Sequence, residues 1–347
     1  MYTASIPMKY VGPIKMFSPN RIDTIMVPLA TYERPLWRST SRGAKISMMT
    51  EGIRTVIISE KMTRSIILEA SNSAIAFDLV QKLSLQLPEM QSIVIKSSRF
   101  AKLYSFTHQI CGKLLYLRFE FSTGDAAGHN MVTKASDEII NWILSKYSMI
   151  SYVSISGNCC TDKKNSAVNG ILGRGKYVIA ELTIAKDLCQ TILKTTPEKI
   201  LNLHVKKNLI GSTLAGSIRT ANAHFANILV AIYLATGQDV ANIVEGSQGL
   251  VHMEVQERQL YFSVTLPNII VGTVGNGKNL PFIQENLKKM GCLEKRPVGD
   301  NSRRLAQIIG AAVLCGELSL LAAQTNQSEL VRSHLILERR VHRKKGR

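Results

Sequence analysis

Asp162, Lys163 and Lys164 stand side by side in a loop of Ser, Gly, Asn, Cys and Thr, SGNCCTDKKN. An ammonium held against a carboxylate stays charged and can stabilise an oxyanion as it develops on a carbonyl. The same pair of lysines also reads as solvated surface. Asp239, in ATGQDVAN, follows an apolar helical run, where an acid opposes the helix dipole and calls for a compensating cation. Glu33 precedes Pro35 in a turn, ATYERPLW, and His334 follows the last helix in VRSHLI. A carboxyl and an imidazole are the usual proton carriers of enzymes, although a turn acid and a lone histidine also have structural readings. GILGRGKY resembles a phosphate loop but puts Tyr177 at the hydroxyl position and precedes a strand, so it reads as a glycine turn. VGTVGNGK sets Gly272, Gly275 and Gly277 after a strand, where backbone can approach a ligand closely.

The elements that must carry these residues follow from periodicity. SIILEA and SIVIKS read as strands, and SAIAFDLVQKLSLQL as an amphipathic helix. KLLYLRFEFS alternates strongly, KASDEIINWILSKYSM puts Ile139, Ile140, Ile143 and Leu144 on one helical face, and ISYVSIS is another strand. This order predicts a split β-α-β, ferredoxin-like module over 65–154, inserted in a larger α+β domain formed by 1–64 and 155–336. Within the larger domain, a helical region is expected from about Ser212 to Thr236. It is followed by a hairpin in LVHMEVQERQLYFSVTLP and a final helix in SRRLAQIIGAAVLCGELSLLAAQ.

The chain has 347 residues, 45% of them apolar and 20% charged, which is enough to bury a large core and excludes disorder. The net charge of +18 points towards polyanions. Six of those charges lie in Arg339–Arg347, part of a basic tail over 337–347, and the remaining +12 is spread along the body. No RNP aromatics, finger spacing or basic zipper accompany it, so no dedicated nucleic-acid partner is expected. Six cysteines without a Cys-x-x-Cys indicate neither a disulfide framework nor a metal site, and suit a reducing cytoplasm. The N-terminus lacks a signal core, and the apolar run Thr220–Gln238 reads as a buried helix, not a membrane anchor.

Five segments taken together are similar to the hydroxymethylglutaryl-CoA reductase family: SGNCCTDKKNSAVNGILGRGK, NLIGSTLAGSIRTANAHFANILVAIYLATGQDVAN, FSVTLPNIIVGTVGNGKNLP, RRLAQIIGAAVLCGELSLLAA and ELVRSHLI. The resemblance runs in order from about Val11 to Ile336, and SSRFAK and STGDAAGHNM resemble its class I branch. It implies reduction of the thioester to mevalonate and CoA with two NADPH, NADH being the less expected donor, and no metal. It also implies a homodimer or tetramer with the active site at the subunit interface. By motif, the resemblance makes Glu33 the general acid and Lys163 the oxyanion-stabilising residue. Asp239 becomes their partner, and His334 the proton donor to the CoA thiolate. Arg64, Ser156, Asp162, Lys164, Lys207 and Asn227 match positions that hold the hydroxymethylglutaryl group. Ser39, Arg42, Lys45, His224 and Ser333 match CoA contacts. Ser98, Arg99, Phe100, Asp125, Gly128 and Asn130 match the cofactor site, with Arg99 suited to a 2′-phosphate.

The chain departs from the family pattern at three places. Thr-Tyr-Glu-Arg-Pro replaces the usual Thr-Thr-Glu-Gly, Ala127 and His129 stand where methionines are usual, and no Glu-Asn-x-x-Gly dimerisation segment precedes Val11. Two other readings compete with the reductase: a catalytically impaired relative that binds CoA esters, and a binder of nucleic acid or anionic surfaces acting through the +18.

Overall fold

The computed structural model describes Tyr2 and residues 4–18, 21–332 and 335–336. The chain begins with an antiparallel pair, β1 (Met8–Ser18) and β2 (Arg21–Ala30), followed by α1 (Pro35–Met49). Pro35 starts that helix, where the missing N–H costs nothing. β3 (Ile53–Ala70) is 18 residues long and feeds α2 (Ser73–Leu85), α3 (Leu87–Ser97), β4 (Lys102–Cys111), β5 (Leu114–Ser122), α4 (His129–Lys146) and β6 (Ile150–Ser154). Then come α5 (Ala167–Leu172), β7 (Gly175–Ala185), α6 (Lys186–Leu188), α7 (Pro197–Leu203), α8 (Ser212–Leu214), β8 (Thr220–Ala221) and α9 (Phe225–Ala235). The chain continues through α10 (Ile243–Gly246), the hairpin β9 (Gly249–Gln256) and β10 (Gln259–Ile269), α11 (Pro281–Lys289) and α12 (Asp300–Gln324). Cys189–Leu193 and His204–Gly211 are wound as π-helix.

β3 joins the two halves of a mixed sheet. Its residues 54–61 pair with β7 in the order β2-β1-β3-β7-β10-β9-β8, while residues 62–70 pair with β5 and β6. The order β4-β5-β3-β6, all antiparallel, is that of a split β-α-β unit. A separate core belongs to it, which includes Leu117, Phe119 and Phe121 of β5 and Val132, Ile139 and Ile143 of α4. The larger core surrounds α12 and α9. α12 has the length and apolarity to cross a membrane, but 94% of that stretch is buried under the sheet and neighbouring helices, as for a core helix apolar all round.

Three expectations need correction. SIVIKS is helical, within α3, and the strand of that position is β4. A short run of β-branched residues does not separate strand from helix, and Pro88 with Glu89 supplies a helix start. The helix expected over 212–236 breaks after α8, where Gly216 (φ +68°) and Arg219 (φ +52°) turn the chain, and resumes only as α9. Asp239 does not oppose a helix dipole. It N-caps the single 3-10 turn Val240–Asn242, its carboxylate accepting from the Ala241 N–H, which is where an acid is favoured.

Candidate active site

The loop between β6 and α5 is held under strain. Asn158, Thr161 and Lys163 all adopt positive φ without being glycine (60°, 47° and 57°). What over-determines it lies beneath. Arg174, 2% exposed, sits inside the glycine turn that leads to β7. Its Nη1 is 2.9 Å from both Asp162 Oδ1 and Glu245 Oε1, and its Nε donates to Thr63 at 3.2 Å. Glu245 is fully buried, and its Oε1 also accepts the Lys163 backbone N–H at 3.1 Å. Removing one partner of such a buried pair costs roughly 3–5 kcal/mol because the other charge is left unmatched.

The Lys163 side chain then reaches Asp239, with Nζ 2.7 Å from Oδ2. The hydrogen bond that it donates to Asp239 outweighs burial and holds the Lys163 ammonium above the ordinary lysine range. Burial works against the Asp239 carboxylate, yet the bound ammonium prevails and keeps it below the ordinary aspartate range. His129 Nε2 lies 3.6 Å from Asp162 Oδ1, and burial, aided by Arg174, lowers its pKa. Lys164 is exposed and donates to the Asp162 carbonyl at 3.1 Å. Arg64, on β3, donates to Thr133 Oγ1 at 3.0 Å, and Ser156 is exposed.

Glu33 belongs to a second cluster. Its backbone N–H donates to Thr31 Oγ1 in the turn before α1, and its Oε2 accepts from Asn227 Nδ2 at 3.1 Å. Asn227 is in the first turn of α9. Just before that helix, the N–H groups of Ala223 and His224 both donate to Glu317 of α12. Burial pushes Glu317 up to about 7 and His224 down to about 4. Half-buried Lys207 is lowered by burial, with Glu317 opposing. On α1, Ser39 and Arg42 bond Ser319, Arg42 also pairs with Glu329 at 2.7 Å, and Lys45 is exposed. Arg38, Ser39, Arg42 and Arg332 line a cleft of about 390 Å³. Ser333 and His334 lie outside the described residues.

α9 keeps the two clusters apart in one chain. Glu33 is held at its first turn and Asp239 lies past its last, with ~12 Å of helical rise from Asn227 to Ala235.

The residues expected around the cofactor divide. Arg99 and Phe100 are exposed, the guanidinium 5.6 Å over the ring. Gly128 (φ +97°) caps α4 without a side chain, leaving the first-turn N–H groups near Asn130 with no side-chain acceptor. Ser98 turns its hydroxyl inward, towards the N–H groups of Phe100 and Ala101. Asp125 spends both oxygens on Gly299 N and Ser302 N, each at 3.0 Å, so it caps α12 from another part of the chain.

The family model described as hydroxymethylglutaryl-coenzyme A reductase matches residues 2–339. The chain belongs to that family. Among proteins named 3-hydroxy-3-methylglutaryl-coenzyme A reductase, that of Aeropyrum pernix is 43% identical over 96% of this chain and 79% of its own length. That of Pyrococcus abyssi is 44% identical over 96% and 82%, and a Dictyostelium discoideum reductase is 44% identical over 95% and 63%. The class II reductase of Streptococcus pneumoniae, solved with NADPH, shares the fold at a TM-score of 0.74. It is 20% identical over 94% of this chain and 86% of its own.

Sequence reasoning about this reductase-family chain missed the residues that support its motifs. Arg174 sits in a segment that reads as a glycine turn, Gln238 and Lys278 lie inside motifs whose other residues drew the assignment, and Glu245 carries no local pattern. A charged residue inside an otherwise apolar run, as Glu317 is in LCGELSLL, was the one available signal.

Proposed function

We propose that the chain reduces 3-hydroxy-3-methylglutaryl-CoA to mevalonate and CoA, with two NADPH and two protons consumed, in the mevalonate route to isoprenoids. The observation that carries this is the Lys163–Asp239 pair, 2.7 Å apart on a loop the fold strains, in a chain of this family. Each reduction of a carbonyl generates an alkoxide. The Lys163 ammonium polarises that oxygen, Asp239 orients the ammonium, and Glu33, steadied by Asn227, supplies a proton. His334 delivers a proton to the departing thiolate.

When bound, NADPH supplies the hydrides. The residues present fit it: exposed Arg99 offers a cation to a phosphate, Phe100 an exposed ring, and the uncapped start of α4 a set of N–H donors for an anion. Ser98 and Asp125 would support this site through the backbone they hold. Arg64, Ser156, Asp162, Lys164 and Lys207 would receive the acyl group, and Ser39, Arg42, Lys45, His224 and Ser333 the CoA. Within this reading the module at 65–154 carries the cofactor, and the rest of the body carries the substrate.

The separation of the two clusters favours a homo-oligomer in which Glu33 of one subunit faces Lys163 of the next. Leu209, Ile210, Leu214 and Ile218 offer an exposed apolar face to such a neighbour, Leu214 being 84% exposed. All six cysteines are free, which suits the reducing cytoplasm.

The test follows NADPH absorbance on addition of the thioester, with NADH alongside. Turnover should fall at least ~100-fold in Lys163→Ala. Absence of turnover in the wild type, or undiminished turnover in the variant, overturns the assignment.

A further inference from the structure

A second lysine lies at the Asp239 turn, outside the set that the mechanism uses. Lys278 ends the glycine-rich segment 272–278 and is 4% exposed. Its ammonium donates to the carbonyl of Gly237, two residues before Asp239. The two backbones are in contact there: Gly237 has φ +63°, and a Cβ on it would stand 2.6 Å from the Gly277 carbonyl oxygen. Next in the chain, buried Gln238 exchanges two hydrogen bonds with Gly272, each 3.0 Å. On its far side the segment rests on 125–127. Thr273 N donates to the Asp125 carbonyl at 2.8 Å, and a Cβ on Gly272 would meet Ala127 N at 2.4 Å. The segment is therefore clamped between the backbone proposed for the cofactor and the turn that carries Asp239. Gln238 is uncharged, whereas Lys278 places an ammonium in the interior, where it is stable only against a matching acceptor and field.

We propose that Lys278 is a positioning residue, whose ammonium locks the glycine segment onto the Gly237–Asp239 turn. It thereby fixes the Asp239 carboxylate, and through it the Lys163 ammonium, relative to the cofactor site. The proposal rests on the reductase reading above.

Burial lowers Lys278 to about 8, with the field of Asp239 opposing. From the neighbouring elements, Asp239 is the charged group that acts on it, and Lys163 and His129 act on Asp239 in turn. Gln284 of α11 donates to the Lys278 carbonyl at 2.5 Å and carries no charge. A neutral amine makes a weaker bond to Gly237 than an ammonium does. Turnover should therefore fall on the alkaline side as Lys278 loses its proton, a range in which Lys163, held above the ordinary lysine pKa, stays charged.

The experiment measures kcat and KM across this pH range for wild type, Lys278→Met and Lys278→Arg. The wild type should show an alkaline limb in kcat near pH 8. Lys278→Met should lose about 10-fold in kcat, with KM for the thioester within about 3-fold, and should lack that limb. Lys278→Arg should keep most of its activity and shift the limb upward, because a guanidinium does not deprotonate there. A Lys278→Met enzyme with wild-type kcat and limb overturns the proposal. So does a limb shared by wild type and Lys278→Arg, which decides the matter even if the methionine variant fails to fold. Either result, obtained with an active wild type, leaves the reductase reading standing.

Discussion

Glu317 shows how one side chain can set a site it does not enter. It sits in the middle of α12 and is fully buried, yet it accepts the N–H groups of Ala223 and His224 and so fixes the entry to α9, whose first turn holds Asn227 and hence Glu33. Burial raises its pKa from 4.5 to about 7. With the folded value above the unfolded one, its contribution to stability is fully present below about pH 4.5 and is lost as pH rises through about 7. Wild type should therefore lose stability relative to Glu317→Gln across that window, by up to ~3 kcal/mol at 1.36 kcal/mol per pKa unit. Denaturant titrations of both proteins at several pH values check this, and a difference independent of pH would contradict it. His224 and His204, both pushed down to about 4 by burial, have the opposite sign, stabilising above the ordinary histidine pKa. The His204 slope is common to both proteins and cancels in the difference, whereas His224, whose N–H bonds Glu317, belongs to what the substitution changes.

Among the elements, the crossing of α1 and α12 decides whether Ser39 and Arg42 can reach Ser319. The helices approach so closely at Gly43 that a Cβ there would stand 2.0 Å from the Cys315 carbonyl oxygen, against backbone that cannot move aside alone. Gly43→Ala should cost at least ~3 kcal/mol, since overpacking a helix contact forces both axes apart. Gly216→Ala is the control. That site is open but has φ +68°, so only the local backbone penalty of ~1 kcal/mol applies. Equal losses in thermal unfolding of the two variants would remove the close-approach argument. β3 is the other decisive element. A single strand, bonded along one half to β7 and along the other to β5 and β6, ties the β4-β5-β3-β6 sheet to the large sheet.

For the whole molecule, the distance along α9 makes a quantitative statement about assembly. If Glu33 of one subunit serves Lys163 of another, Glu33→Gln and Lys163→Ala are each inactive alone but complementary. After unfolding and co-refolding at equal amounts, half of random dimers are mixed and one of their two sites is intact. Roughly a quarter of wild-type activity should return. Co-refolded protein that stays as inactive as the single variants would place both residues in one subunit's site.

Much of this was legible in order along the chain. The alternation of LLYLRFEFS, the hairpin, the final apolar helix, and the first and last strands and two of the helices of the split module depend on neighbours two to four residues apart, which the covalent chain itself brings together. The TDKK and TGQD segments carried the lysine and the aspartate, and the whole set of motifs carried the family. The failures came where local signals tie, as in SIVIKS, or where glycine and an αL residue interrupt a helical pattern, as at 215–224. The choice of partners was not written locally. Arg174 meets Glu245 across 71 positions, Glu317 meets His224 across 93, and Lys278 meets Gly237 across 41. The sequence by itself determined which chemical groups the chain possesses and which elements carry them. Only the tertiary structure decided which of those groups are taken out of water together, and with burial comes the low dielectric that makes a charge costly alone and strong when paired.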